Sequence, residues 1–159
     1  MSQDNTLQSL ALADLRLALD EIGIFREISG TIKGPEEVSV YPCAYYALGD
    51  ELESQFKDIQ HVHYETISSF LVVVYVHETE TKGIVGRESD LALMLAKTIQ
   101  LVKDKINEYR VDEFRTHGYE QRDPPFQVET DNGALAMTGS PIAMAAITIR
   151  LYFPPADAS

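Results

Sequence analysis

Thr-Ile-Ser-Ser-Phe-Leu-Val-Val-Val-Tyr-Val-His, residues 66–77, is apolar for longer than any other stretch of the chain. From Phe70 to Val76 it holds no charge, glycine or proline, and β-branched and aromatic side chains dominate. That composition suits a pleated strand buried on both faces. A helix is the competing assignment, but Ser68-Ser69 and Glu78-Thr79 bound a run of strand length. The run is therefore expected to be the central strand. Just upstream, Val62, Tyr64 and Thr66 alternate with polar neighbours, so residues 61–65 either extend the same strand or form a hairpin turning near Thr66.

Downstream, residues 78–88 are polar and contain Gly83 and Gly86, which predicts an exposed connection. Ser89 then caps a helix over residues 90–110, with Asp90 at its start and Lys103, Lys105 and Arg110 towards its end, as the helix dipole favours. Leu91, Leu95, Ile99, Val102, Ile106 and Tyr109 form its apolar stripe. Residues 111–125 are charged and irregular and predict a long surface loop. Phe126-Gln127-Val128-Glu129 reads as a strand, Asp131-Asn132-Gly133 as a tight turn, and residues 134–137 as a short return. The last strand covers residues 142–153, where Ile147, Ile149, Leu151 and Phe153 alternate with Thr148, Arg150 and Tyr152.

Upstream, residues 6–21 carry Leu12, Leu15, Leu19 and Ile22 at helical spacing, with Asp14, Arg16 and Asp20 placed on other faces. Asn5 or Thr6 can cap this helix, and Gly23 can end it. A short strand is expected over 24–28, a glycine- and proline-rich turn over 29–35, and extended chain over 38–46 with Pro42 marking a strand start. Residues 51–60 are polar and acidic and read as an exposed connection. Together the elements predict an α+β fold: a mixed, mainly antiparallel sheet of four or five strands with two long helices packed against it. One domain is expected over residues 1–159, with disordered ends at 1–5 and 154–159. With both helices on one side, the other face of the sheet is either covered within the chain or completed by neighbouring subunits, and the second reading is the sequence-level reason to expect a ring.

Composition narrows the function. Hydrophobic residues make up 45% and charged residues 24% of the 159, ordinary values for a folded chain. The 25 acidic and 13 basic side chains give a net charge of −12, and the basic residues are scattered. A nucleic-acid groove needs clustered Lys and Arg, so phosphate binding is disfavoured. Cys43 is the single cysteine, which excludes an intramolecular disulfide or a Cys-rich metal site and suggests a small buried group. The opening residues lack a basic start followed by an apolar run, and no run reaches membrane-spanning length. A cytoplasmic place of synthesis and no membrane contact are therefore expected.

Chemical motifs are weak throughout. Gly83-Ile84-Val85-Gly86-Arg87 lacks the Lys-Ser/Thr step of a phosphate loop. His61 and His63 can share one strand face, but two imidazoles fall short of the three protein ligands a zinc site needs. His77, His117, Cys43 and many carboxylates could join them only through folding. The acid pairs Glu51/Glu53 and Glu78/Glu80 read as solvated faces. Gly139-Ser140-Pro141 departs from a nucleophile elbow. Tyr41, Tyr45 and Tyr46 are expected in core packing rather than base stacking. No catalytic residue, metal ligand or cofactor is assigned, and the chain is expected not to be an enzyme.

The order of these elements resembles that of the tail-terminator and minor tail proteins of long-tailed bacteriophages and prophages. The resemblance runs from Leu7 to Phe153. Its carriers are the Leu-rich helix ending at Ile22-Gly23, Tyr41-Pro42-Cys43-Ala44-Tyr45-Tyr46 with Leu48-Gly49-Asp50-Glu51, the run from Ser69 to Val76, the helix over 90–106, and Ile147-Thr148-Ile149-Arg150-Leu151-Tyr152-Phe153. The resemblance implies a structural virion protein, assembled in the host cytoplasm and located in the virion tail. Such proteins form a ring, commonly a homo-hexamer, on the last ring of tail tube protein. The ring ends elongation and presents a surface to the neck or head-completion protein, with the sheath protein as a further neighbour. Edge strands and extended loops make the contacts. Here the implied partner-binding residues are Thr79, Thr81, Lys82, Gly83 and Arg87 in the 78–88 segment, with Phe114, Arg115 and Tyr119 in the 111–125 segment. The acid excess would suit a bore through which DNA passes without specific binding. Another head-tail joining or tail-completion protein, and a small ligand- or metal-binding α/β domain, remain open alternatives.

Overall fold

A computed structural model describes residues 7–57, 62–78, 91–109, 126–131 and 142–153. In chain order these form α1 (Leu7–Ile22), β1 (Glu27–Ser29), β2 (Cys43–Lys57), β3 (Val62–His77), α2 (Leu91–Tyr109), β4 (Phe126–Asp131) and β5 (Ile142–Phe153). The five strands make one sheet in the order β1-β2-β3-β5-β4. Only β1–β2 is parallel; the other three pairings are antiparallel. This is an α+β fold, as the patterning predicts.

The strand holding Phe70–Val76 is central, with β2 along one edge and β5 along the other. It runs unbroken from Val62 to His77, so no hairpin turns at Thr66. Alternation along β3 splits the run between two layers. Phe70, Val72, Val74 and Val76 point to the side where both helices lie. There they meet Ala11, Leu15, Ala18 and Leu19 of α1, Met94, Leu95, Val102 and Ile106 of α2, and Ala143, Ala145, Ile147 and Ile149 of β5. Full burial of a side chain of this size contributes about 1.5–3 kcal/mol, so this layer dominates the stability of the fold. The buried hydroxyl of Thr98 in α2 donates to the Met94 carbonyl one turn earlier, at 2.8 Å. Gly23 ends α1 at φ 77°, a left-handed conformation that suits a residue without Cβ, and its N–H donates to the Asp20 carbonyl.

Val73 and Tyr75 point the other way, into a second cluster with Val38, Tyr41, Cys43, Tyr45 and Ile142. This corrects the reading in which neighbouring subunits finish burying the central run. Residues 38–42 are not a strand extension; Val38 and Tyr41 fold over the far face of the sheet and cover that end of it. Proline at 42 supplies no N–H for a ladder, and β2 begins immediately after it. The bond between Tyr41 and Pro42 is cis.

Three further expectations are corrected. The first strand lies at Glu27–Ser29 rather than 24–28, because the parallel ladder begins where the Arg26 N–H meets the Pro42 carbonyl. Asp14 is buried, only 6% exposed, instead of sitting on a solvent face. The largest error concerns residues 51–60: β2 continues to Lys57, paired in register with β3 from Glu51↔Ser68 to Lys57↔Val62. Ladder hydrogen bonds are made by the backbone, so a polar composition does not forbid a strand whose partner lies alongside. The turn at 132–133, the return at 134–137, the Ser89 cap, the loop at 111–125 and the chain ends at 1–5 and 154–159 lie outside the described residues.

The β2–β3 register shifts once, between Leu48 and Glu51, which marks a β-bulge. Gly49 sits in it because the strands approach too closely for a side chain: a Cβ there would lie 3.0 Å from the Ser69 Cβ and 3.1 Å from its carbonyl oxygen. Replacing Gly49 with valine is expected to lower stability by ~1–3 kcal/mol through this overpacking. Urea denaturation monitored by circular dichroism would check it, and an unchanged midpoint would show that the bulge accepts a side chain.

Candidate functional site

Two features of the far face and margin of the sheet stand out from the residues upward. The first is a polar network beneath the 30–42 segment. Glu27, on the edge strand β1, accepts a hydrogen bond from the Tyr45 hydroxyl at 2.5 Å and an ion pair from Lys33 at 3.0 Å. The Tyr75 hydroxyl donates to the Lys33 carbonyl at 2.9 Å, across 42 residues of sequence. The Lys33 ammonium lies 6.0 Å from the centre of the Tyr45 ring, and the Tyr45 and Tyr75 rings meet edge to face. Tyr41 donates to the Val38 carbonyl and its ring stands 5.1 Å from that of His77. Tyr75 thus bonds the 30–42 segment directly through the Lys33 carbonyl, and Tyr45 is tied to it through Glu27 of β1, whose carboxylate also pairs with the Lys33 ammonium.

The electrostatics of this network run against reactivity. The Tyr45 hydrogen bond, with Lys33 second, holds the Glu27 carboxyl below its ordinary value. Burial pushes the Cys43 thiol up to about 11. Burial, then the bond to Glu27, raises Tyr45 well above the ordinary phenol range, and burial raises Tyr75 to about 12. A thiolate nucleophile requires a lowered thiol pKa, and a carboxylate base working near neutrality requires a raised one. Both shifts here have the opposite sign. At neutral pH the cluster fastens the 30–42 segment.

The second feature is the margin of the sheet. β1 pairs with β2 only at residues 43–45, so along residues 46–57 no strand among those described lies outside β2. β5 meets β3 only from Thr66 onward. Among the described residues the last four β2–β3 pairs, Ser54↔Glu65 to Lys57↔Val62, therefore form a two-stranded ribbon beyond the five-stranded body, extending it by about 13 Å. On the opposite margin β4 pairs, among the described strands, with β5. Leu48, at the start of the open edge, is 51% exposed.

Of the residues singled out in the sequence, Thr79, Thr81, Lys82, Gly83, Arg87, Phe114, Arg115 and Tyr119 all lie outside the described residues, as do His61, His117, Glu80 and Ser140. Cys43, Tyr41 and Tyr45 are buried as expected, and Tyr46 is half-buried, accepting a hydrogen bond from Arg16 of α1 at 3.2 Å. His77 is half-buried beside Tyr41. Among the described residues no group of three or more His, Cys, Asp or Glu side chains could hold a metal ion, and no helix is long and apolar enough to cross a membrane. Sequence reasoning missed the Glu27–Tyr45–Lys33 network and the β2 ribbon. The first joins residues with no periodic relation, whereas Leu52 and Phe56 were the signal available for the second. No protein-family model matches the chain, and a search of curated proteins gives no match.

The network sets a pH dependence at both ends of the scale. Glu27 has a folded pKa below its unfolded one, so its contribution is present above the ordinary carboxylate range and is lost as pH falls through the folded value. Cys43 and Tyr75 have raised folded values; their contributions are complete below the unfolded pKa values of 9.0 and 10.0 and are lost as pH rises towards about 11 and about 12. Stability measured by urea denaturation is expected to fall on both limbs. Glu27→Gln should flatten the acid limb, and Cys43→Ala should remove the part of the alkaline limb that begins near pH 9. Unaltered slopes in both variants would contradict the assignment.

Proposed function

We propose that this chain is a structural virion-assembly protein of a long-tailed phage or prophage, which caps the tail tube as a ring. In this role it ends tail elongation and provides the joint to the neck or head connector. The observation that carries the reading is the β2–β3 ribbon. Two strands without further partners are marginal in water, and three or more strands or a packed layer are needed for a stable sheet. Among the described residues, four residue pairs run past the last β5 pairing, and we read them as an arm that gains its partners on assembly. An enzyme domain has no need of such an arm, and the polar network on the far face has the wrong electrostatics for a nucleophile or base.

The net charge of −12 agrees with a ring whose bore passes DNA without holding it. The partners on this reading are further copies of the chain, commonly six, the tail tube protein, and a neck or head-completion protein. It involves no cofactor. The sequence resemblance supplies the identity of the tube; the fold supplies the arm.

Negative-stain imaging of the protein mixed with purified tail tube tests the proposal. Rings seated at one end of the tubes are the expected result, with a solution mass of several subunits. A chain that stays monomeric or dimeric and never forms rings, even with tube protein present, would overturn it. Rings that instead bind the head connector and ignore the tube would move the protein to another level of the neck.

A further inference from the structure

Resting on the ring reading, we infer that the junction between copies is an antiparallel β-pairing in which the open edge of β2 in one copy receives β4 of the next. The direction of the strands carries the inference. β2, β3, β5 and β4 follow one another across the sheet, each antiparallel to its neighbour. β4 therefore runs opposite to β2. A second copy placed beside the first in the same orientation brings its β4 against β2 with the polarity that antiparallel ladders require. The two edges are different surfaces on opposite sides of the molecule, so the contact is head-to-tail, the type that generates rings when the rotation closes.

Side-chain chemistry at the two margins agrees. Leu48 pairs with the core residue Phe70, so it faces the helix side of the sheet, yet at the open margin it remains 51% exposed. Phe126 and Val128 of β4 pair with the buried Ile149 and Ile147, face the same side, and are only partly buried against the core. Copies in the same orientation keep their helix layers on one side, so Leu48 of one copy and Phe126 and Val128 of the next share a face.

β1 sets the offset. Through the registers, Asp131 of β4 lies level with Met144, Tyr75 and Cys43, and Phe126 lies level with Ile149, Phe70 and Leu48. An incoming β4 at that same level would collide with β1, which occupies residues 43–45 of the β2 edge. The neighbour must therefore step towards the ribbon, onto residues 46–57. That open edge is about 40 Å long, ample for the six residues of β4. A constant step between neighbouring copies inclines the strands to the axis, as closure of a sheet into a barrel requires.

Hydrogen exchange on the unmodified protein, compared between dilute monomer and assembled rings, is the test. Alternate amides in 46–57 and in 126–131 are expected to slow together by roughly tenfold or more on assembly. Rings in which either edge exchanges at the monomer rate would overturn the β2–β4 junction while leaving the ring reading standing. No assembled state under any condition would remove the ring reading and the junction with it. Gln127→Pro and Thr130→Pro, at positions of opposite parity, supply a second arm: one of them deletes an N–H that faces away from β5. Of these, the variant that keeps the parent thermal melt is expected to remain monomeric. Assembly by that variant would show that the junction does not use the outer edge of β4, and would overturn the proposal.

Discussion

The fold depends on one constraint: the Phe70–Val76 part of β3 is hydrogen-bonded along both edges and packed into a buried layer on each face. Its alternation sends Phe70, Val72, Val74 and Val76 into the layer beneath α1 and α2, and Val73 and Tyr75 into the smaller layer beneath residues 38–42. A strand in that position tolerates no polar substitution on either side, which is why its sequence reads as one unbroken apolar run. The two layers are unequal in kind. The helix side is built mainly of aliphatic side chains with Phe70 among them, whereas the far side combines apolar contact with a defined set of hydroxyl, carboxylate and ammonium bonds.

That inequality explains how much could be read from the residues. Elements that bury a periodic face were legible: the stripe of α1, the stripe of α2, the limits of β5 at Ile142 and Phe153, and the central place of β3 all follow from hydrophobic spacing. Elements made by backbone pairing were not. Glu51–Lys57 extends β2 although its composition is polar, because β3 provides the ladder. Residues 38–42 looked extended and instead wrap the far face, because Val38 and Tyr41 pack on Tyr45, Val73 and Tyr75, contacts that local propensity does not reveal. The margin of the sheet lay half in view: β4 was recognised as a strand, but its role as the outer edge depends on strand order, which sequence patterning does not specify.

The same division bears on function. A protein whose distinctive surfaces are open strand edges presents backbone groups, and backbone groups carry no residue signature. Partner-binding residues were sought among the charged and aromatic side chains of the loops, where composition draws attention. The proposed contact lies instead along β2 and β4, whose side chains are unremarkable in type. Short β1 matters here out of proportion to its length, since three residues restrict which part of the β2 edge a neighbour can use.

Gly49 gives the arm a property of its own. The bulge lies three residue pairs short of the ribbon, which among the described residues starts at Ser54↔Glu65, past the last β5 pairing at Thr66↔Phe153. Distal to that point, adding or deleting residues two at a time on each strand preserves the alternation of faces and leaves the core untouched. Each such step changes the reach by about 7 Å. The ribbon is in effect a spacer whose span can change without disturbing the base it is mounted on.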